Sequence, residues 1–304
     1  MDENISDPTN NSRTIIALFH GVSWNASTKW AEIGDGVTLA NFRGSTPQDV
    51  YHELCHTRHI DGGDPFGFEV YATLQSGHTE LPFGYGDPYS VVDWLSNLIT
   101  ICTGIPVGMC RVISPWLNHE QPVDTELVYC SRGQTEFLES GYARLNDESL
   151  RDISRIWSRS NQLWPHGRKF GRLVSSLTFF HYSWRSHYIE QICLNLAIAL
   201  EILFSPHDRT EMSHQIAFNV AKFVESTPDK REELYRKIKK FYGHRSSIVH
   251  GGVPSDDKII DLTVEIFRLV ASILKRILLD DTLAETFNID KLRKVYFGQR
   301  LFTD

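Results

Sequence analysis

Two groups of side chains in this 304-residue sequence have the types and spacing to do chemistry. The first is Arg245 with His250, within LYRKIKKFYGHRSSIVHGG (residues 234–252). An imidazole with an ordinary pKa near ~6.5 can take a proton from a ribose 2′-hydroxyl, or give one to a leaving 5′-oxygen, at neutral pH. A guanidinium can stabilise the charge that builds on the phosphorane. That route cleaves RNA without a metal, but one histidine cannot be base and acid at once. A further proton-transfer group, or a second copy of the chain, is implied. The second group is His52-Glu53-Leu54-Cys55-His56. On a helix, His52 and His56 share a face and can hold zinc while Glu53 activates a water. Thr46-Pro47 could open such a helix. Against zinc stand the polar Thr57-Arg58 that follow and the want of a clear downstream glutamate helix. An ordinary amphipathic surface helix is the plainer reading.

The first pair depends on one helix. Over residues 229–249, Leu234, Ile238, Phe241, Tyr242, Ile248 and Val249 fall on one side at about 100° per residue, and Arg245 falls among them. A guanidinium on an apolar face needs a carboxylate, an anionic ligand or an opening to solvent. Glu201 and a bound phosphate are both candidates. In a continuous helix the two side chains would stand roughly 140° apart. Gly251-Gly252 and then Pro254 signal a helix end, from which His250 could swing back toward Arg245. The bare spacing is weak. Chance predicts on the order of one R-x4-H in such a chain, and Arg209–His214 is a second match, read as a surface coincidence. The alternative for Arg245 and His250 is an ion-paired arginine followed by a helix-ending histidine.

Composition changes near residue 140. Before it, Gly and Pro punctuate β-like runs at Thr14–Phe19, Gly67–Leu74, Val107–Ile113 and Glu126–Ser131, with one helix at Tyr89–Thr103. After it, apolar spacings of three and four predict helices at 147–162, 186–204, 210–225, 229–249, 257–280 and 288–297. The expected fold class is α+β. A mixed, mostly antiparallel β-rich domain over 1–140, a candidate sensor or regulator binding a ligand or protein, precedes an all-α bundle over 141–304. Helix 186–204 is apolar nearly all round and should be the central, buried one.

The stretches LNLAIALEIL (194–203), EMSHQIAFNVAKFV (211–224) and the 234–252 segment together resemble the Apea-like HEPN family. In that family an "ALE" helix is followed by a Glu-led helix and then by a tyrosine just before R-x4-H-G. The resemblance covers about residues 186–280. It implies an α-helical domain that dimerises with two R-x4-H motifs facing each other, and metal-independent cleavage of RNA, often in prokaryotic defence against phage. Carried over, Arg245 and His250 are the catalytic positions and Glu201 the intramolecular polar partner, with Tyr242, His244 and Ser246 supporting. Ser246 stands where many members have Asn, Asp or His, although Apea-like members often carry Ser. The resemblance equally admits a non-catalytic module for RNA binding or assembly.

The net charge of −7 does not suit a general nucleic-acid coat, but Lys230–Arg245 is locally basic. Lys237, Lys239 and Lys240 are the candidates for guiding RNA toward Arg245. Five cysteines, odd in number and without a CxxC pair, point to free thiols in a reducing compartment. No signal peptide or membrane span is legible, so a cytoplasmic protein without cofactor is expected, zinc being the alternative at His52 and His56. The aromatic stretch from Trp157 to Trp184 is expected to pack the bundle against the N-terminal half.

Overall fold

The computed structural model of the protein describes residues 14–41, 70–75, 88–113, 142–163, 171–205, 212–252 and 257–300. Near the N-terminus five strands, β1 (Thr14–His20), β3 (Trp30–Gly34), β4 (Val37–Asn41), β5 (Val70–Gln75) and β6 (Gly108–Ile113), form one antiparallel sheet in the order β3-β4-β5-β1-β6. Val70, Ala72 and Leu74 of β5 are buried at every second position, the pattern of a sheet covered on one face. The β3–β4 turn is Asp35-Gly36, both at positive φ (49° and 73°), as a two-residue hairpin loop requires. Short β2 (Val22–Trp24) pairs in parallel with β7 (Ala143–Leu145).

The remaining described elements are helices. α1 (Pro88–Thr103) buries Val91, Val92, Leu95, Leu98, Ile99 and Ile101, and Gly104 at φ 69° follows its end. Then come α2 (Asp147–Leu163), α3 (Arg172–Arg185), α4 (Ile189–Phe204), α5 (Met212–Val224), α6 (Pro228–Val249), α7 (Asp257–Leu279), α8 (Asp281–Asn288) and α9 (Asp290–Arg300). The fold is therefore α+β, mostly helical, with its sheet near the N-terminus. Among the described residues no helix is long and apolar enough to cross a membrane.

The predicted helices are present, with three differences. Residues 172–185 form α3, which the apolar spacing does not announce. Ser176 and Ser183 occupy its buried side, satisfied by the carbonyls of Ala199 (3.0 Å) and Phe180 (2.6 Å). The region after α7 holds two helices, because the Asp280 carboxylate caps α8 by accepting from the Leu283 N–H at 3.0 Å. The N-terminal half also carries the β3–β4 hairpin. The expected strand at Glu126–Ser131 lies outside the described residues, as does most of the stretch around residue 140. On either side of that stretch the elements share packing. Ser154 of α2 bonds the Ile33 carbonyl of β3 at 2.8 Å, and Trp157 donates to Asp35 at 3.2 Å. Trp184 of α3 donates to Asn97 of α1 at 3.2 Å.

α4 lies at the centre of the bundle. Its last carbonyls are taken by arginines: Arg172 donates to Ile202 O at 3.0 Å, and buried Arg293 to Leu203 O at 3.3 Å and Ser205 O at 2.5 Å. Cations at a helix C-terminus satisfy its orphan carbonyls and complement its dipole. Around that end Phe204, Phe223 and Phe287 pack edge to face at 5.4–5.6 Å between ring centres. The C-terminal end of α4 is thus rigid, and Glu201 is positioned on its last turn.

Candidate functional site

α6 carries the candidate site. Pro228 at its first turn has the φ a helix needs and no N–H to leave unpaired. Ile238, Phe241 and Tyr242 bury its inner side. Its end is a complete glycine stop. Gly251 takes φ 81°, the Gly252 N–H reaches Ser247 O at 2.8 Å, and the Gly251 N–H reaches Ile248 O at 3.1 Å. A Cβ at Gly252 would stand 3.0 Å from that Ser247 oxygen, a tight approach that favours glycine there as well.

Arg245 sits on the last turns of α6, facing α4. Its Nη2 lies 3.4 Å from Glu201 Oε1, with the two side chains 33% and 18% exposed. The partner carboxylate expected from the sequence is the one found. One turn earlier, the Tyr242 hydroxyl donates to Ala197 O at 3.2 Å, so α4 and α6 run side by side in the same direction. Burial pushes the Glu201 carboxyl up, against the Arg245 charge that pulls it down. Burial and then the Glu201 charge push the Tyr242 hydroxyl well above its ordinary value, so it remains a hydrogen-bond donor. Burial pushes the Cys193 thiol up to about 12 despite Arg245 nearby, which makes it an inert thiol rather than a nucleophile. The Arg245 Nε is buried without a hydrogen-bond partner. The guanidinium is held by one long ion pair and, with its side chain 33% exposed, remains open to an incoming anion.

His250 follows the last residue of α6 and is exposed. Its N–H still bonds Ser246 O and Ser247 O at 3.1 and 3.2 Å, so it continues the helical path. The two side chains therefore leave the helix roughly 140° apart, Arg245 toward α4 and His250 toward solvent. Within one chain the histidine does not swing back to the arginine. Ser246 is exposed; His244 is half-buried and its Nε2 has no hydrogen-bond partner.

The three candidate RNA-binding lysines divide between two sides. Lys239 faces α5 and donates to Ser213 at 3.0 Å. Lys237 pairs with Glu265 of α7 at 2.9 Å. Exposed Lys240 joins it at an open groove of about 380 Å³ between α6 and α7, lined also by Arg236, Asp261, Leu262 and Glu265. His52, Glu53 and His56 lie outside the described residues. Among the described residues no three His, Cys, Asp or Glu side chains gather as a metal site.

One feature of the site is not evident from periodicity. α4 is apolar nearly all round, yet one stripe of it, Leu194, Ile198 and Ile202, is only half-buried. Glu201 lies at the edge of that stripe, and Val249, one turn beyond Arg245 on α6, is 52% exposed. Apolar surface thus adjoins the Arg245–Glu201 pair.

A second polar cluster joins α1 to α3. His181 Nε2 lies 3.0 Å from the Asp93 carboxylate, which also receives Arg185. Burial alone would push the Asp93 carboxyl up; the His181 hydrogen bond and the charges of His181 and Arg185 outweigh it and hold the carboxyl below its ordinary 3.8. A carboxyl lowered in the folded state contributes stability that is complete above its unfolded value and is lost as pH falls through the folded one. Thermal melts between about pH 5 and pH 2 should show Asp93→Asn protein losing less stability on acidification than wild type. Equal losses would mean that this bridge is not coupled to folding.

No protein-family model, curated protein sequence or solved structure matches the chain.

Proposed function

We propose that the protein is a metal-independent endoribonuclease of HEPN type, working as a homodimer with one composite site between two copies. The observation that carries this reading is the end of α6. Arg245 is fixed beside Glu201 with unused donors, while His250 stands exposed on the helix-ending turn, pointing elsewhere. One chain offers two half-sites that do not meet. A two-fold related copy seated against the half-buried Leu194–Ile198–Ile202 stripe would bring a second α6 end alongside the first.

In that site the His250 imidazole of one copy takes the proton from a ribose 2′-hydroxyl. The 2′-oxygen attacks the adjacent phosphorus, and the phosphorus–O5′ bond breaks. The His250 of the other copy, entering protonated, gives its proton to the leaving 5′-oxygen. Arg245 stabilises the phosphorane charge, and Glu201 holds it in place. The products are a 2′,3′-cyclic phosphate and a 5′-hydroxyl. An enzyme of this kind in prokaryotes fits a role in anti-phage defence, acting in the cytoplasm.

The test is cleavage of a labelled single-stranded RNA and a transfer-RNA pool in the presence of EDTA, with the new ends identified. Persistent cleavage with cyclic-phosphate ends supports the proposal. Loss of cleavage in EDTA, with about one zinc per chain, would move the chemistry to His52, Glu53 and His56. RNA retained but left intact would make the chain a binding or assembly module.

A further inference from the structure

The outer face of α6 is built differently from its other sides. Arg236, Lys240, Gly243, Ser247 and His250 follow one another at intervals of four and three residues, which places them on one stripe about 21 Å long. All five are exposed. The stripe starts at the α6–α7 groove, where Arg236, Lys237 and Lys240 outnumber Asp261 and Glu265. It ends at His250. Exposed Glu232 and Glu233 make the preceding turn of the helix acidic, and Glu232 pairs with Arg236 at the surface, an exposed ion pair that a phosphate can displace; the positive path runs from Arg236 toward the C-terminal end.

Gly243 is the informative residue. It lies within a 22-residue helix, where glycine costs stability relative to alanine. A Cβ built there meets nothing within 4 Å, so no neighbour among the described residues requires its absence. Its φ is not positive, so the backbone does not require it either. A bare backbone midway along a basic stripe is where an outside ligand can approach the helix closely. We infer that this stripe is the track for the RNA strand, with Arg236 and Lys240 holding successive phosphates, the strand crossing closely over Gly243, and the scissile phosphate reaching His250. The inference rests on the ribonuclease reading for its endpoint; of the guiding lysines expected from the sequence it keeps Lys240, sets aside Lys237 and Lys239, which pair within the fold, and adds Arg236.

The chain's affinity for RNA tests this separately from cleavage. The probe is a short single-stranded RNA with 2′-O-methyl groups, which cannot undergo 2′-oxygen attack. Binding is read by fluorescence anisotropy across a salt series. Arg236→Glu and Lys240→Glu should each weaken binding about tenfold and reduce the salt slope by about 0.7 for each phosphate no longer neutralised. Lys291→Glu, exposed on α9, should change neither. Gly243→Ala should raise the melting temperature yet weaken binding, and Gly243→Glu should weaken it further. A stabilised Gly243→Ala protein that binds RNA as wild type does would overturn the track. So would full binding by both charge-reversal variants, or no RNA binding by wild type. If the track residues govern binding but unmodified RNA stays intact in EDTA, the track stands and the ribonuclease reading falls. If RNA is cut normally by all of these variants, the ribonuclease reading stands and the track falls.

Discussion

His250→Ala protein is expected to cleave RNA on the order of a thousandfold more slowly than wild type, and a mixture of the two should be poorer than its composition suggests. The first number follows from the work assigned to the imidazole: general acid–base catalysis by one group contributes about 10²–10⁴-fold. The second follows from the geometry. Arg245 and His250 diverge along α6, and one histidine cannot both remove and supply a proton in the same step. If each site draws a histidine from each copy, a dimer with one altered chain is as silent as one with two. After subunit exchange, equal amounts of wild-type and His250→Ala chains leave about a quarter of the dimers intact. Activity per total protein would then fall to about a quarter of wild type, against about half for chains that work alone. Arg245→Ala should cost about 10²–10³-fold, the range for losing a charge-stabilising donor. Mixing it with His250→Ala should restore nothing. A linear response to the wild-type fraction would show that each chain carries a complete site, and the reading of His250 would have to change.

How far the sequence discloses this site can be judged residue by residue. Arg245 on the apolar side of a helix demands a partner, and that demand is met by Glu201, the acidic residue in the last turn of the most apolar helix. The helix stop is equally legible, because Gly251 takes a left-handed conformation that alanine disfavours and Gly252 a close approach that favours the smallest residue. The direction of His250 is not. It depends on whether the last turn unwinds before or after Val249, and hydrogen bonds from its own N–H keep it on the helical path. α3 is obscured because buried serines take positions where apolar residues would mark the period, their hydroxyls satisfied by backbone carbonyls. The β3–β4 hairpin had its signal in Asp35-Gly36, but Trp30–Gly34 alternates too weakly to stand out. The open stripe on α4 cannot be read from composition at all. An all-round apolar helix looks the same whether every side is covered by its own chain or one side waits for another.

That stripe yields the second large effect. Ile198→Asp should convert the protein to monomers and reduce cleavage about as far as His250→Ala does. Leu194, Ile198 and Ile202 are half-buried on a helix whose opposite side, Ile192, Cys193, Leu196, Ala199, Leu200 and Leu203, is buried. Specific dimers typically bury about 800 Å² on each partner, centred on apolar anchors. A carboxylate at the centre of such a face must lose its water without gaining a partner, and an unpaired buried charge costs about 3 kcal/mol or more, over a hundredfold in dissociation constant. Because Ile198 is partly covered within its own chain, Val249→Glu serves beside it. Val249 is 52% exposed, so its replacement removes little from the monomer's core and acts on whatever covers it. Sedimentation at several concentrations reads the oligomeric state, and thermal melts confirm that each variant is folded. Folded monomers without cleavage would tie the chemistry to the pairing of two α6 ends. Folded monomers that cleave at the wild-type rate would place a complete site in each chain and leave the α4 stripe to another purpose. Dimers that persist in both variants would put the contact elsewhere. The half-buried guanidinium at the edge of the stripe would then act without a neighbour copy.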